Sequence, residues 1–319
     1  MNATLRRLAA AAACTLALTA TACGSSTDKS GSGGDDKLTV VTAFYPLQFA
    51  SERVAGDKAA ITSLTNPGAD AHSVELTPKQ VASLSEADLV VYIKGFSNSI
   101  DKAIAENGPQ NVIDAMTLVE PIASGHEHEA GHEGESAEEH ADHDHGAYDP
   151  HIWLDPKNMS RIAEGIEKKL AEVDSDDAET YRANAEALAK ELTSLDEDFR
   201  TGLATCERKD IIVSHEAFGY LTKAYGLEQV GIAGLSTEDE PSPARIAEIQ
   251  KLAKQHGVTT IFYETQASPA HSKAIARDLK LNTEVLDPVA TLNDQSRGKD
   301  YLEVMRANLK ALRTANGCQ

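Results

Sequence analysis

The chain has 319 residues, of which 41% are hydrophobic and 25% are charged. This composition excludes disordered, fibrous and membrane-spanning classes, and the length is enough for two globular domains with a core each. The formal net charge of -20 excludes nucleic acids and anionic lipid surfaces as electrostatic partners and favours cations, although an acidic surface also serves solubility alone.

The first 22 residues are typical of an export signal. Arg6 and Arg7 precede an apolar run at positions 8–20, which is too short to cross a bilayer. The Ala-Thr-Ala-Cys stretch that ends at Cys23 resembles a bacterial lipoprotein cleavage box, so we expect Cys23 to be acylated as the new N-terminus. Ordinary cleavage with an incidental cysteine is the alternative. Residues 23–36 are rich in Gly, Ser, Asp and Lys, which predicts a flexible tether.

Eight short runs rich in apolar and β-branched residues alternate with helix-like stretches, which is the pattern of βα units and a mostly parallel sheet. Four runs precede residue 115 and four follow residue 210. We therefore predict an α/β fold of two lobes, each a roughly four-stranded parallel sheet flanked by helices. The runs are Leu38–Phe44, Ala60–Leu64, Asp88–Ile93, Asn111–Ile113, Ile211–Ser214, Gln229–Ala233, Thr259–Tyr263 and Thr283–Leu286.

One long amphipathic helix is predicted from Asp177 to Leu203, between the two sets of runs. Its apolar residues recur at spacings of three, four or seven, so they line one face. At 1.5 Å per residue the helix is about 40 Å long, enough for a stiff connection between the lobes. The predicted organisation is an N-terminal lobe at 37–176, a linker helix at 177–205 and a C-terminal lobe at 206–319. The apolar residues are Tyr181, Leu188, Leu192, Leu195, Phe199 and Leu203.

Cys206 and Cys318 are the cysteines of the mature body, because Cys14 leaves with the signal and Cys23 forms the anchor. An exported protein lies in a compartment that tolerates disulfides, so we expect the two to pair. Two free buried thiols are the alternative. Two cysteines this far apart are too sparse for a structural zinc site of the finger type.

Residues 126–145 form a His-rich segment with eight Asp or Glu and no Lys or Arg. The segment has no apolar periodicity and cannot form a core, so a mobile loop is predicted. A merely solvated acidic loop needs no histidine, and we therefore expect these imidazoles to bind metal weakly. The histidines are His126, His128, His132, His140, His143 and His145.

Three other histidines and one aspartate stand where strands or loops end in turn-like sequence. His72 follows the second run and precedes a good helix start at Thr77. His151 lies between two prolines, and His215 directly follows the run that ends at Ser214. Asp287 directly follows the last run. Open α/β sheets bind ligands at the carboxyl ends of their strands, so these four side chains converge if the lobes face each other.

Three imidazoles and one carboxylate suit a tetrahedral zinc site, because zinc accepts nitrogen donors and the carboxylate offsets part of its charge. Each residue alone is weak evidence. A lone histidine at a strand end is usually a hydrogen-bonded structural residue, and aspartate before proline is often a turn. His256, at a helix end, and His271, which opens a helical stretch, are predicted to be structural.

Five stretches of the sequence resemble the solute-binding proteins of ABC transporters for zinc and manganese, and the resemblance covers essentially the whole mature length. It implies two α/β lobes joined by a rigid helix, with a metal bound in the cleft. It also places the metal ligands at His72, His151, His215 and Asp287, the same four residues reached above. The stretches are Ala43–Leu47, Gly68–Pro78, Asp149–Pro156, Ser214–Tyr220 and Leu286–Pro288.

The resemblance implies an exported monomer that binds Zn²⁺ with high affinity as its transported substrate and delivers it to an ABC transporter permease. A lipid on Cys23 would anchor it to the cell membrane, and it would be periplasmic if the cleavage box is not used. Manganese-selective relatives tend to carry Glu at the third ligand position, so His215 favours zinc over a manganese-binding homologue. Glu216 stands where relatives commonly have Asp or Asn, and its role is open between a surface contact and support of the ligands.

A zinc-dependent hydrolase is the main rival function, because three histidines on zinc with an open fourth position activate water. Asp287 closes that position in the predicted site. We find no separate motif for a general base, a nucleophile elbow or a phosphate loop, so no enzymatic activity is expected. An adhesin or a zinc-storage protein, in which the loop rather than the cleft acts, is a further alternative.

Overall fold

Each of the eight predicted runs overlaps a β-strand in the computed structural model, which describes residues 37–124, 148–235, 237, 240–266 and 268–319. The predicted signal, tether and acylated Cys23 lie outside the described residues, as do the six histidines of the His-rich segment. The first half comprises β1 (Leu38–Thr42), α1 (Tyr45–Ala55), β2 (Ala59–Ser63), α2 (Pro78–Glu86), β3 (Leu89–Tyr92), α3 (Asn98–Asn107), β4 (Val112–Asp114) and α4 (Pro156–Val173).

Helix α5 (Ala178–Gly202) follows, and the second half repeats the alternation of strands and helices. None of the helices in the described part of the chain has the length and apolar character that a bilayer crossing requires. The second half comprises β5 (Asp210–Val213), α6 (Gly219–Tyr225), β6 (Glu228–Gly231), α7 (Pro243–Gln255), β7 (Thr260–Tyr263), α8 (Ala270–Leu279), β8 (Asn282–Val285) and α9 (Tyr301–Asn316).

The two sheets are both four-stranded and parallel, and they have the same strand order. The order is β2-β1-β3-β4 in the first sheet and β6-β5-β7-β8 in the second. Two strands that are neighbours in space but not in sequence, β1 and β3 or β5 and β7, form the centre of each sheet. The crevice at the carboxyl ends of such a pair is where open α/β sheets bind ligands. The predicted α/β architecture is confirmed.

The predicted amphipathic helix is α5, which is continuous over 25 residues and therefore about 37 Å long. Its apolar face is buried, with Tyr181, Leu188 and Phe199 all at 0% exposure. The helix packs against α1 and α4 on one side and against α9 on the other. One large hydrophobic core, to which both sheets contribute, consequently surrounds α5.

The second sheet borders two separate clusters of apolar side chains. Ile211 and Val213 of β5 belong to the large core, whereas Ile212 between them belongs to a smaller cluster with Ile249 of α7 and Ile275 of α8. The alternation follows from the strand geometry, in which successive side chains point to opposite faces. Helices α7 and α8 are thus attached through the small cluster.

A disulfide joins Cys206, which follows α5, to Cys318, which follows α9. The predicted pairing is confirmed, and the bridge spans 112 residues of sequence. Two hydrogen bonds continue it, because the Arg208 N–H donates to the Asn316 carbonyl at 3.1 Å and the Asn316 side-chain amide donates to the Arg208 carbonyl at 3.0 Å. The ends of the two helices are therefore fixed to each other.

The chain on either side of residues 125–147 is paired as a short antiparallel stem. The Asp149 N–H donates to the Ile122 carbonyl at 2.9 Å. The Tyr220 hydroxyl accepts the Ile122 N–H and donates to the Asp149 carbonyl, both at 3.0 Å. A side chain of the second half thus holds both sides of the stem.

Candidate metal centre

His72 lies on the segment between β2 and α2, where the chain forms neither a strand nor a helix. Helix α2 begins where the Thr-Pro sequence predicts, and a capping box between Thr77 and Gln80 fixes its start. The backbone of His72 is oriented by Asp70, whose Oδ1 accepts the His72 N–H at 2.9 Å. The half-buried imidazole packs against the ring of Phe96, with the ring centroids 4.3 Å apart.

His151 follows the stem and precedes a short 3₁₀ helix at Ile152–Leu154. Its side chain is fully buried. The carboxylate of Asp149 accepts the His151 backbone N–H at 2.9 Å and contacts the ring Nδ1 at 2.8 Å. Because Nδ1 then carries the proton that Asp149 accepts, Nε2 of the neutral ring presents its lone pair to the opposite side.

His215 lies at the carboxyl end of β5, two residues beyond the strand, and is 1% exposed. Glu264 lies directly beyond β7, the neighbouring strand, and its Oε1 is 2.5 Å from the Nδ1 of His215. Glu264 is 3% exposed, and Ser214 also donates to its Oε1. As Asp149 does for His151, Glu264 accepts the Nδ1 proton of His215. Nε2 of the neutral His215 ring is therefore directed away from the carboxylate.

The Nε2 atoms of His72 and His215 both lie close to Nε2 of His151. Nε2 of His151 is 3.3 Å from Nε2 of His72 and 3.4 Å from Nε2 of His215. Tetrahedral zinc with Zn–N bonds of about 2.0–2.1 Å requires nitrogen atoms about 3.3–3.4 Å apart. Among the described residues, these histidines form the one group of three or more His, Cys, Asp or Glu side chains with all ligand atoms within 4.8 Å of one another.

Burial and nearby carboxylates change the proton affinities around this group. Burial raises the pKa of Asp149 to about 7, although the backbone N–H of His151 acts to lower it. Burial alone lowers the pKa of His215, but the carboxylate of Glu264 outweighs it, and the pKa is raised. A charged imidazole carries its second proton at Nε2, the atom that would bind a cation. Metal and protons therefore compete for the site.

Asp287, the predicted fourth ligand, is buried two residues beyond β8 but does not belong to this group. Its Oδ1 accepts the Val289 N–H at 2.8 Å, and its Oδ2 accepts the Thr265 hydroxyl at 3.2 Å. Asn308 pairs with its backbone at both the N–H and the carbonyl. Burial raises the pKa of Asp287 to about 6, although those two hydrogen bonds to the carboxylate act to lower it.

Glu264 is the site residue that the sequence reasoning missed. It directly follows the predicted run Thr259–Tyr263, in the same relation to its strand as Ser214 to β5. A polar residue just beyond a buried strand was therefore the available signal. Its Oε2 is buried and has no hydrogen-bond partner among the described residues.

The remaining candidates lie outside the group of three. His256 caps the end of α7 and contacts Asp210 at 2.8 Å. His271 is the second residue of α8 and borders a cavity of about 200 Å³ next to His215. The carboxylate of Glu216 is 3.7 Å from the guanidinium of Arg245, a contact at the surface of the second half.

Comparison with known proteins places the chain among zinc-uptake proteins. The family model described as zinc-uptake complex component A, periplasmic, matches residues 40–315. The chain is 35% identical over 311 residues to the high-affinity zinc uptake system protein ZnuA of Bacillus subtilis, covering 95% of this chain and 94% of that protein.

Two streptococcal proteins are also similar. The zinc-binding lipoprotein AdcA of Streptococcus pneumoniae is 34% identical over 290 residues, and the match covers 88% of this chain but 56% of that relative's length. The structure of the laminin-binding protein Lmb of Streptococcus agalactiae, described as an adhesin with metal transporting activity, superimposes with a TM-score of 0.75. It is 31% identical, and the match covers 88% of this chain and 99% of that one.

Proposed function

The chain belongs to the family of the periplasmic zinc-uptake complex component A, and we propose that it binds Zn²⁺ with high affinity outside the cytoplasm and delivers it to an ABC-type uptake permease. The observation that carries this proposal is the group of three histidines, in which Nε2 of His151 lies at the spacing of a tetrahedral zinc site from Nε2 of each of the other two. Three nitrogen donors favour zinc over manganese, which prefers oxygen. The zinc ion is the transported substrate.

In this proposal His72, His151 and His215 bind zinc through Nε2, and Asp287 supplies the fourth ligand. The Thr265 hydroxyl donates to the Asp287 Oδ2 at 3.2 Å, which is long for a hydrogen bond between two oxygens. Zinc is a stronger partner for that oxygen than the hydroxyl. A carboxylate in the fourth position leaves none open for a reactive water, so the proposal includes no enzymatic activity.

We also propose that the protein acts as a monomer anchored to the cell membrane by a lipid on Cys23, with residues 23–36 as the tether. If the cleavage box is not used, the protein is periplasmic instead. Export with incorporation of a labelled fatty acid should be seen for the natural chain and lost in Cys23→Ala. Secretion of unlabelled natural chain would contradict the anchor.

The six histidines between positions 126 and 145 form a second, weaker zinc site in this proposal. Eight carboxylates in the same segment raise the local concentration of cations. Neutral imidazole is the form that binds, so occupancy of this segment falls as the pH drops through about 6.5.

The central test is metal analysis of the purified chain after exposure to equal zinc and manganese. We expect one tightly bound zinc per chain. His215→Ala should weaken that binding at least ~10-fold, the effect typical of disturbing the surroundings of a metal, and His215→Glu should shift preference towards manganese. His256→Ala, which removes a histidine outside the group, is the matched control. Equal binding of both metals, or an unchanged zinc titration in His215→Ala, would contradict the proposal.

A further inference from the structure

Two of the three histidines are fixed to the second half of the molecule. His215 belongs to it through β5, and His151 is tied to it from both sides. On one side the Tyr220 hydroxyl donates to the Asp149 carbonyl at 3.0 Å, and on the other the Trp153 indole N–H donates to the Pro288 carbonyl at 2.7 Å. His151 and His215 therefore keep their relative position as long as the second half is folded.

His72 reaches these two histidines from the first half, on the segment between β2 and α2. Two hydrogen bonds tie this segment across to the second half. The Gly68 N–H donates to the Thr291 hydroxyl at 2.8 Å, and the Thr237 hydroxyl donates to the Oδ2 of Asp70. The other oxygen of Asp70 accepts the His72 N–H. One carboxylate consequently connects the backbone of His72 to a hydroxyl of the opposite half.

The position of Thr291 is itself closely determined. Thr291 is 2% exposed, and its carbonyl accepts the side-chain amide of Gln266 at 3.2 Å. Two residues earlier, Val289 has a φ of 59°, which is strained for a β-branched residue. The Val289 N–H is held by Asp287 at 2.8 Å. Strained backbone persists where the surroundings over-determine it, often at binding sites.

Gly68 suits the other side of this contact. Its φ is 78°, a left-handed conformation that glycine adopts without steric cost. The turn directs its N–H towards Thr291, so the hydrogen bond depends on the backbone of Gly68 and the side chain of Thr291. Removal of the threonine hydroxyl therefore breaks the contact without altering the turn itself.

We propose that Thr237 and Thr291 are positioning residues that hold His72 against the other two histidines and thereby set the rate at which zinc leaves. This inference rests on the proposed function, because it takes His72 as a zinc ligand. When both threonine contacts open, the segment that carries His72 is free to withdraw from the second half. Two nitrogen donors then remain with the ion, and it dissociates faster. The threonines touch neither the ion nor the imidazole.

The test compares zinc dissociation from the loaded natural chain and from Thr237→Val/Thr291→Val, measured by stopped flow with excess chelator. Valine keeps the shape of threonine and removes the hydroxyl. We expect zinc to leave at least ~10-fold faster, the lower end of the effect that supporting contacts have on metal affinity. Thr237→Ser/Thr291→Ser, which restores both hydroxyls, should return the rate to within about twofold of the natural chain. Thr314→Val, which removes a hydroxyl on α9 that bonds within its own helix, is the matched control.

His72→Ala separates failure of this inference from failure of the proposed function. If His72→Ala leaves zinc binding unchanged, the proposed ligand set is wrong. If His72→Ala weakens zinc but the double valine variant releases it at the natural rate, the threonine contacts do not set the rate. In the His72→Ala background the valine substitutions should not change the zinc dissociation rate further. A general loss of structure would still raise that rate. An unchanged unfolding temperature of the metal-free valine variant supports the same conclusion.

Discussion

The two sheets have the same strand order but not the same surroundings. The first sheet contributes to the large core that surrounds α5, together with α1, α4 and α9. The second sheet shares that core on one face, while its other face packs against α7 and α8 through a cluster of eight buried residues. Two sheets with identical topology therefore border hydrophobic clusters of different size. The candidate metal centre borders the shared core, since His151 packs against the fully buried Trp153, which belongs to that core.

This difference indicates where the molecule opens most readily. Regions with few buried apolar contacts unfold locally at lower free energy than the main core. Helices α7 and α8 should thus open before α5 and α9 do. Because α5 packs against elements of both halves, free hinge movement of two independent lobes is not expected. The predicted division into a lobe at 37–176, a linker helix at 177–205 and a lobe at 206–319 stays a prediction.

The largest effect is expected from Phe199→Ala in the large core. Phe199 is fully buried on α5, so truncation should lower the free energy of unfolding by about 3–5 kcal/mol. Hydrogen exchange should accelerate in both sheets. Ile249→Ala, in the small cluster, is the comparison, and there the acceleration should be confined to α7, α8 and the adjoining strands. The same exchange pattern in both variants would show that the two layers unfold as one.

Loss of the disulfide should have the next largest effect. Removing a native disulfide typically costs about 2–5 kcal/mol of stability, and this one closes a long loop. Cys206→Ser/Cys318→Ser should show this loss in chemical denaturation, and reduced natural protein should match it. Because the bridge joins the ends of α5 and α9, exchange should rise there rather than in α7. A rise in hydrogen exchange centred on α7 would contradict the proposed separation of the large core from the small cluster.

A smaller effect, on zinc rather than on stability, is expected from Glu264→Gln. This substitution keeps the size of the side chain and removes the charge that orients His215, so zinc affinity should fall about 10-fold. The measurement is competition with a chelator. Glu216→Gln is the matched control, because that carboxylate faces Arg245 and should change affinity by less than about twofold. Equal losses of zinc affinity in the two variants would mean that Glu264 supplies negative charge near the site and not the orientation of His215.

The smallest effect on the tight site is expected from deletion of residues 126–145, which belong to neither core. Calorimetry should lose the weak zinc equivalents and keep one tight site. Ordering a chain costs about 1–2 kcal/mol per residue fixed, so binding by this segment should be much weaker than binding by the folded centre. If the deletion abolishes the tight site, the segment supplies a true ligand and the proposed set is wrong.

The sequence predicted the strands well because their signal is local. A short β-branched run between turn residues identifies β5 or β7 by itself, and the bounds agree to within a few residues. The three histidines were predicted because His215 directly follows such a run, His151 stands between prolines and His72 follows the second run in turn-like sequence. Glu264 was missed because its role depends on β5 and β7 being neighbours, and strand order is not contained in a hydrophobic period. The contact of Gly68 with Thr291 spans 223 residues and has no local signal at all.

The paired stem at Ile122 and Asp149 has a consequence for supply of the ion. Residues 125–147, which lie between its two sides, number 23, so each of them is at most about thirteen residues, or ~45 Å, from Ile122 or Asp149. Asp149 contacts His151 directly. If the segment binds zinc as proposed, the ion is confined near the candidate centre at an effective concentration on the order of millimolar, whatever its concentration in solution. Encounter with the three histidines then depends on chain length, and each residue added to the segment dilutes the ion that it carries.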